Sequence, residues 1–315
     1  IEEGANITAE NNAGIYLAGS KDVNCTVRGG NITGATGIYV KAGKLIVTGG
    51  NIIGNGAATA YAYDDSKATC TGDALVVENS NFGGNGAPVV HVAGGYFESA
   101  NAQPVASYQN GTEPKVVGFL VGGTYNKELS DKEVIDPKYT IVSNGKGDFT
   151  VESIVTEIYT LADLELFRDN VYSGEKNYDG EIVMLMNDID ATAASWAYGI
   201  GQLLETDGDA KNPFQGTFDG QGYTIKGLTV NTKSVQNAAL FACIKGATIK
   251  NLNLYECTMK GMGHRVAGIV ARTFGTDNKI LNCSVKNSDI ECMDNPNADQ
   301  SLVAGIAATV TNTTT

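Results

Sequence analysis

The sequence is poor in the residues on which nucleic-acid binding and membrane insertion depend. Its 22 lysines and arginines are outnumbered by 35 acidic residues, which gives a net charge of −13. Proteins that bind nucleic acids neutralise phosphates with clustered Lys and Arg, so we expect no binding to nucleic acid or to an anionic membrane surface. The chain has no run of about 18 apolar residues, so we predict no membrane insertion.

Cysteine is also scarce and badly spaced for metal binding. The chain has six cysteines and no Cys-x-x-Cys pair, whereas structural zinc sites need such spacing. We therefore expect no metal and no other cofactor. Cys25 shares a pattern position with Leu45, and Cys283 shares one with Leu228 and Leu252, so both should be buried as small hydrophobic residues. We expect no disulfide framework, and reduced thiols suit an anaerobic habitat.

Glycine and internal repetition are abundant. The chain has 39 glycines, and a segment of the form apolar, any residue, Gly-Gly, any residue, apolar recurs in its first half. The copies are Val27–Ile32, Val47–Ile52, Val92–Phe97 and Leu120–Tyr125, with Val77–Phe82 in the same frame but without the glycines. Repeats of about 20 to 50 residues are typical of solenoids.

These segments are predicted to be strands that bend at the glycines. Side chains alternate between the two faces of a strand, and the last apolar residue of each segment lies at an odd offset from the first. A corner must therefore intervene, and Gly-Gly supplies it because glycine accepts a positive φ angle. Gly14–Leu17 and Gly37–Val40 match each other and predict another face of two successive repeats.

A different pattern follows this first array. Lys138–Val151 predicts a hairpin or edge element that turns at Asn144-Gly145. Thr160–Val171 predicts an amphipathic helix, with Thr160 as the N-cap, Asp163 in the first turn and Gly174 as the stop. We expect the helix to cover the exposed end of a second array, whose open edge would otherwise promote aggregation.

The second array starts at Glu181–Asp190 and continues in longer repeats. One aligned set of segments begins at Ile225, Ile249 and Ile280, and another comprises Ala239–Ala242, Gly268–Ala271 and Gly305–Ala308. The residues expected to be nearly fully buried in stacked columns are Val27, Val47, Val77, Val92, Ile225, Ile249 and Ile280.

The predicted fold class is all-β: a right-handed parallel β-helix of two successive solenoid arrays with one short capping helix between them. The predicted domains are residues 1–137 for the first array, 138–159 for the connector, and 160–315 for the second array with its N-terminal helix. The chain has no starting Met and no signal peptide, so we expect a processed or excised piece of a longer protein.

The second array resembles a known family. Pro213–Ile225, which contains Gly-Thr-Phe-Asp-Gly-Gln-Gly-Tyr-Thr-Ile, and the later Ala247–Leu252 block are similar to the GLUG-type repeats of bacterial cell-surface proteins. Thr160–Leu164 and Met186–Asp190 fit the opening segment of that family, and the likeness covers roughly residues 155–315. Alanines replace several of the family's glycines. The resemblance implies a secreted or cell-surface, adhesin-like protein and does not imply an enzyme.

Enzymes are the main alternative, because β-helices also host pectin lyases and polygalacturonases. Such enzymes need clustered carboxylates with Arg, Lys or His nearby, and Asp64-Asp65 is the one adjacent carboxylate pair of that kind. A solvated corner loop is the favoured interpretation of this pair, and a catalytic or Ca²⁺ role is the alternative. Asp188, Asp190 and Asp219 are expected to make turn hydrogen bonds. His91 should lie on the surface, and His264 lies in a loop where a ligand contact is conceivable.

Aromatic residues in loops supply the candidate binding residues. Sugar rings stack on exposed aromatic faces, so the candidate ligand-binding residues are Tyr61, Tyr63, Asp64, Asp65, Trp196 and Tyr198. The alternative is that these aromatics simply cover the corners of the repeats. No catalytic residue is predicted.

Three classes of function remain open. The first is a non-enzymatic, extracellular adhesin-like or stalk protein, monomeric, whose partner is a polysaccharide or a host or cell-surface glycan. The second is a polysaccharide lyase or glycoside hydrolase, which a carboxylate and Lys or Arg cluster in one groove would favour. The third is a structural spacer without any groove or aromatic surface.

Overall fold

The computed structural model describes residues 1–65, 67–204, 209–233, 237–262, 265–293 and 301–310. In this part of the chain most regular structure is β-strand, one α-helix is present, and most strand pairs are parallel. The chain divides into two compact units, Ile1–Ser153 (unit 1) and Ile154–Thr315 (unit 2). No helix in the described residues is both long enough and apolar enough to cross a membrane.

Unit 1 is built from short strands and two single 3₁₀ turns. The strands are β1 (Asn6–Thr8), β2 (Ala13–Leu17), β3 (Asn24–Val27), β4 (Asn31–Gly34), β5 (Thr36–Val40), β6 (Lys44–Gly54), β7 (Leu75–Asn79), β8 (Val89–Ser99), β9 (Val105–Gln109), β10 (Thr124–Tyr125), β11 (Tyr139–Ser143) and β12 (Phe149–Ser153). The 3₁₀ turns are Phe82–Gly84 and Lys132–Val134.

The strands of unit 1 form two sheets that the chain visits alternately. One sheet has the order β1-β4-β6-β8-β10-β12-β11, with β3 also paired to β6, and the other has the order β2-β5-β7-β9. Strands β1 to β10 pair in parallel with their equivalents in neighbouring repeats, so Val27, Val47 and Val92 stack in one fully buried column. The hairpin predicted at Asn144-Gly145 is confirmed, and its β12 is antiparallel to β10.

The Gly-Gly corners have the predicted positive φ angles. The second glycine adopts φ of 89° in Gly50 and 98° in Gly95. The first glycine is needed for another reason, because a Cβ on Gly49 would lie 2.3 Å from the carbonyl oxygen of Arg28 in the preceding repeat. Each pair therefore combines a left-handed turn with a close contact between repeats.

The alignment of Val77 with the Gly-Gly column is wrong. Val77 lies in β7 and stacks on Val40, in the other sheet. It is fully buried as expected, because the alternation of apolar residues is the same in both sheets. Phe82 lies in a 3₁₀ turn and not in the apolar column. The missing glycines at Asn79-Ser80 were the sign that this segment belongs elsewhere.

Unit 2 has one α-helix and many short strands. The helix is α1 (Leu161–Ser173). The strands are β13 (Val155–Ile158), β14 (Ile182–Leu185), β15 (Ile189–Asp190), β16 (Ser195–Trp196), β17 (Gln202–Leu203), β18 (Ala210–Asn212), β19 (Thr217–Asp219), β20 (Thr224–Lys226), β21 (Thr229–Thr232), β22 (Ile244–Lys245), β23 (Thr248–Lys250), β24 (Asn253–Tyr255), β25 (Thr258–Gly261), β26 (Arg265–Ala267), β27 (Val270–Phe274), β28 (Lys279–Leu281), β29 (Ser284–Lys286), β30 (Asp289–Cys292), β31 (Leu302–Ala304) and β32 (Ala307–Thr309).

Successive repeats of unit 2 also stack in parallel. The sheets are β13-β14-β19-β23-β28, β15-β20-β24-β29, β16-β21-β25-β30, β22-β27-β32 and β26-β31, with β17-β18 as a small antiparallel pair. The predicted column through Phe241, Val270 and Ala307 is confirmed. Side chains interact along the outside as well, because Asn282 donates to Asn251 and Asn251 donates to Asp219.

The predicted alignment of Ile225 with Ile249 and Ile280 is wrong by one strand. Ile249 lies opposite Phe218 and Ile280, whereas Ile225 lies opposite Leu254 in the next sheet. Both segments read as apolar residues at the same spacing, so the sequence pattern does not separate them. It follows that Leu228 pairs with the Cys257 position and not with Cys283, since Thr229 lies opposite Thr258.

Three residues expected in the core are only partly buried. They are Ile280, Cys283 and Cys25. Ile280 and Cys283 lie on or beside β28, the last described strand of its sheet, and Cys25 lies on β3, which pairs with β6 alone. Within the described residues these strands have a neighbouring strand on one side only, so their inward residues keep some contact with solvent. All six cysteines are free thiols.

The predicted helix is confirmed with its termini. Thr160 and Asp163 form a capping box, and Gly174 ends the helix with φ of 81°. Leu164, Phe167 and Val171 are buried. The Phe167 ring packs against four aromatic rings of the strands and loops that follow, at centroid distances of 5.0, 5.5, 5.8 and 6.5 Å. The helix thus inserts its apolar face into the core of unit 2.

Candidate functional site

Unit 1 carries a cluster of buried polar side chains on the outer face of the β2-β5-β7-β9 sheet. Ile38 and Val40 point inward, so their neighbours Tyr39 and Lys41 point outward. By the same alternation Glu78 points outward from β7. A segment that we call the covering loop (residues 55–65 and 67–74) lies over this face. As a result Lys41 and Glu78 are both fully buried.

Lys41 joins the sheet to the covering loop. Its Nζ lies 3.5 Å from Oε1 of Glu78 and donates to the carbonyl oxygens of Asp64 and Lys67, the latter at 2.9 Å. It also faces the ring of Tyr63, 5.3 Å from the centroid. An ion pair in such a position gains little net stability because both charges lose their hydration, but removing one partner is costly. Lys41 therefore fixes where the loop lies.

Tyrosines surround the Glu78 carboxylate. The Tyr39 hydroxyl donates to Glu78 Oε2, and burial together with this hydrogen bond raises the pKa of Tyr39. Burial and the nearby charge of Glu78 also raise the pKa of Tyr61. The ring of Tyr61 stacks on Tyr108 with centroids 4.2 Å apart and an angle of 6° between the planes. Tyr39 and Tyr61 are thus neutral at physiological pH.

A polar cavity opens beside this aromatic stack. It has a volume of about 330 Å³, and its lining includes Thr59, Asp73, Asn101, Gln103 and Tyr108. Asp73 accepts hydrogen bonds from the hydroxyl of Tyr108 at 3.4 Å and from the backbone N–H of Gln103 at 2.8 Å. Burial raises the pKa of Asp73 in spite of these hydrogen bonds. The cavity presents donors and acceptors of the kind that sugar hydroxyls need.

The covering loop contains all four candidate ligand-binding residues of unit 1. Tyr63 is exposed, and Tyr61 and Asp64 are half-buried. Asp64 Oδ2 lies 3.7 Å from Nζ of Lys67. Asp65 is exposed beside them.

The candidate residues of unit 2 join helix α1 to the strands. Trp196 is 2% exposed, and its Nε1 donates to Glu165 at 3.0 Å. The guanidinium of Arg168 lies 4.5 Å from the ring of Trp196 and 5.0 Å from that of Tyr198. Tyr198 is half-buried and stacks on Tyr172 at 3.8 Å. In this arrangement Trp196 packs against protein, and Tyr198 is the more accessible of the two candidates.

The other acidic and histidine candidates do not join either cluster. Asp219 accepts the backbone N–H of Gln221, two residues further on, as turn residues do. Asp188 instead accepts the backbone N–H of Thr224, which lies 36 residues away in the next repeat, and not the turn hydrogen bond expected of it. His91 is exposed on β8, and His264 lies outside the described residues. Within the described ranges no group of three or more His, Cys, Asp or Glu side chains is placed to hold a metal ion.

Sequence reasoning did not identify Lys41, Glu78, Tyr39 or Asp73. A signal was present, because Lys41 ends the apolar run of β5 and Glu78 interrupts that of β7, each at an outward position. Their pairing required the register of the two strands, which the Val77 alignment had wrong.

Comparisons with known proteins give no independent guide to this site. No family model matches the sequence, and neither a curated protein nor a solved structure is significantly similar to the chain.

Proposed function

We propose that the chain is a non-enzymatic, extracellular, adhesin-like protein of the bacterial cell surface, and that it contacts carbohydrate through the covering loop of unit 1. The observation that carries the proposal is the anchored loop itself, in which Lys41 faces the ring of Tyr63, and Tyr61 stacks on Tyr108, a residue that lines the polar cavity. Preorganised aromatic and polar groups bind with little loss of entropy.

A β-helical scaffold is part of this proposal. We infer that each unit is a right-handed parallel β-helix, in which every repeat is one turn of the solenoid. Parallel pairing of equivalent strands over successive repeats supports this architecture, as does the row of hydrogen-bonded side chains of Asp219, Asn251 and Asn282 on unit 2. Such scaffolds place loops along a rigid body and suit display at a surface.

Membership of the GLUG-type family is also proposed and rests on the sequence resemblance. The Gly-Thr-Phe-Asp-Gly-Gln-Gly-Tyr-Thr-Ile string occupies β19, the following turn and the start of β20. The opening Thr160–Leu164 segment forms the capping box and first turn of α1. These positions agree with a repeat boundary. They were read from the structure and not from the resemblance, so they support it independently.

The chemistry of the loop favours binding over catalysis. Glycoside hydrolysis needs two carboxyl groups about 5 to 10 Å apart on either side of the scissile bond. Glu78 is fully buried with Tyr39 and Lys41 as partners, so it has no access to a glycan chain. Tyr63, Asn101 and Gln103 remain available for contacts with sugar faces and hydroxyl groups.

A β-helical glycoside hydrolase or polysaccharide lyase is the second candidate. Asp73 favours it, because a carboxyl group with a raised pKa that lines a cavity is suited to act as a general acid. Release of reducing or unsaturated sugar ends from pectin, alginate or glucans by the purified chain, lost in Asp73→Asn, would replace the adhesin proposal with this one.

Titration of the full chain against the same polysaccharides and host glycans tests binding. We expect Tyr63→Ala and Asn101→Ala each to weaken binding about five- to thirtyfold, as loss of one aromatic or hydrogen-bonding contact does. Tyr223→Ala is the matched control, since Tyr223 is a similarly exposed tyrosine of unit 2. Equal losses of binding in Tyr63→Ala and Tyr223→Ala would contradict a binding site in the covering loop. So would binding that is abolished by Trp196→Phe and Tyr198→Ala but not by Tyr63→Ala.

A further inference from the structure

The hairpin at the end of unit 1 leaves a strand with one open side. β11 is the last strand in its sheet, and β12 pairs with it on one side. No strand in the described part of the chain pairs with the other side of β11. Backbone groups on an open strand edge can pair with an incoming strand, which makes such an edge a site for β-augmentation.

An apolar groove runs along this edge. It has a volume of about 780 Å³ and is lined by Val117, Ile135, Tyr139 and Ile141 among others. Val117 is 53% exposed, although it lies in a segment that pairs with the chain around Ile135. An exposed apolar groove beside an open strand suits a partner with apolar side chains on one face.

The rim of the groove is acidic. Glu128, Glu133 and Asp136 line it together with one cation, Lys132, which pairs with Glu128 at 2.6 Å. Glu133 pairs with Lys115 at 3.3 Å. Asp136 accepts the backbone N–H of Lys138, and no described Lys or Arg lies within ion-pair distance of its carboxylate. The rim therefore favours a partner that carries a Lys or Arg opposite Asp136.

We propose that this groove binds an extended peptide segment, which adds to β11 as a further strand. Alternate apolar side chains of the peptide enter the groove at Val117 and Ile141, and a basic residue of the peptide pairs with Asp136. This peptide site goes beyond the glycan contacts proposed for the covering loop and does not depend on them.

A synthetic probe tests the site in the full chain. The probe is an acetylated, amidated peptide of alternating valine and threonine with a lysine at each end, and calorimetric titration measures its binding. We expect Asp136→Asn to weaken binding about two- to fivefold, as loss of an exposed ion pair does. Asp148→Asn removes the same charge from the same hairpin outside the groove and should leave binding unchanged.

Strand pairing is tested separately from charge. The same peptide with alternate backbone nitrogens methylated keeps its side chains and loses its donors, so we expect binding at least about tenfold weaker. Hydrogen exchange should show new protection of the β11 amides on addition of the unmodified peptide, with β8 unchanged. If the β11 amides exchange at the same rate in peptide-free Asp136→Asn as in the peptide-free parent chain, this variant still forms the hairpin.

Several outcomes would overturn the proposal. These are no binding of the probe at millimolar concentration, equal binding of the methylated peptide, or equal losses in Asp136→Asn and Asp148→Asn. Protection of β11 that rises with protein concentration alone, together with a dimer in sedimentation, would assign the edge to a second copy of this chain instead.

Discussion

Unit 1 and unit 2 both stack parallel strands in register, but they bend the chain with different residues. In unit 1 the corners of the repeated Gly-Gly segments take two glycines, and a Cβ on Gly94 would lie 2.5 Å from the carbonyl oxygen of Thr48. In unit 2 one corner is occupied by Gly227, Glu256 and Asn287 in three successive repeats, with φ of 73°, 54° and 51°. A positive φ alone tolerates other residues at a modest cost, whereas close contact between repeats excludes any side chain.

The two units also differ in where they keep their charges. Unit 1 buries Lys41, Glu78 and Asp73 beneath or beside one loop. In unit 2, Asp190 and Asp219 accept hydrogen bonds in turns at the ends of strands. Burial of charge costs free energy unless partners compensate it, so the buried cluster of unit 1 is more costly than a simple scaffold needs. That difference is why we place the proposed binding function in unit 1.

Lys41→Ala should give the largest effect and act on unit 1 alone. It leaves the Glu78 carboxylate buried without its cation, which costs about 3 to 5 kcal/mol. Hydrogen exchange of the β5 and β7 amides measures the loss. Trp196, the single tryptophan of the chain, lies in unit 2, so its fluorescence should show unfolding of unit 2 at an unchanged denaturant concentration.

Arg28→Ala is the matched control for Lys41→Ala. Arg28 pairs with Glu2 at the surface, where both side chains are more than half exposed, so its loss should cost less than about 1 kcal/mol. Equal destabilisation by Lys41→Ala and Arg28→Ala would show that the buried pair does not hold the covering loop.

Ile249→Ala should destabilise unit 2 by about 2 to 5 kcal/mol, because it opens a cavity in a fully buried column between two repeats. Ile280→Ala makes the same change in the partly buried terminal repeat and should cost clearly less. Denaturant unfolding followed by Trp196 fluorescence measures both. A larger loss in Ile280→Ala would mean that the terminal repeat is better covered than the described residues show.

The corner residues provide a smaller test of the first comparison. Gly95→Ala should cost unit 1 about 1 to 2 kcal/mol, because alanine is strained at φ of 98°. Glu256→Gly should change the stability of unit 2 by less than about 1 kcal/mol, because Gly227 already occupies that corner in the preceding repeat. If Gly95→Ala proves neutral, the corners of unit 1 are as permissive as those of unit 2.

Elements with a strong local signal could be predicted from the sequence. The hairpin needed only Asn144-Gly145 between two apolar runs, and helix α1 needed Thr160 and Asp163 at one end and Gly174 at the other. These signals act over a few residues, and tertiary contacts do not have to be known. The Gly-Gly corners were predicted for the same reason.

Register between repeats was the part that the sequence did not determine. Ile225 and Ile249 begin segments of the same spacing, and Val77 has the same alternation as Val47, so several alignments bury equally apolar residues. The pair Lys41 and Glu78 depends on that register, because the two residues lie far apart in the chain and meet only when β5 and β7 are adjacent. Their charges also gave no warning of burial, since lone Lys and Glu residues are usually exposed.

Acidification should change the stability contributions of two aspartates, one in each unit, in opposite directions. Burial raises the pKa of Asp73, so the folded state holds this proton more tightly than the unfolded chain does. Its contribution to stability is then present below the unfolded value of about 3.9 and is lost as pH rises through the folded pKa. For Asp219, burial alone would raise the pKa, but hydrogen bonds from Asn251 and the Gln221 N–H, with the charge of Lys250, lower it overall. Its contribution is present above about pH 4 and is lost as pH falls through the folded pKa.

Hydrogen exchange for unit 1 and Trp196 fluorescence for unit 2, recorded from pH 3 to 7, measure the two effects in one sample. Relative to the parent chain, Asp73→Asn should improve the stability of unit 1 most at pH 7, and Asp219→Asn should lower that of unit 2 most at pH 7, with both differences shrinking toward pH 3. An Asp73→Asn difference that grows as the pH falls would mean that Asp73 is held as a charged group, and the contrast between the two units would then fail.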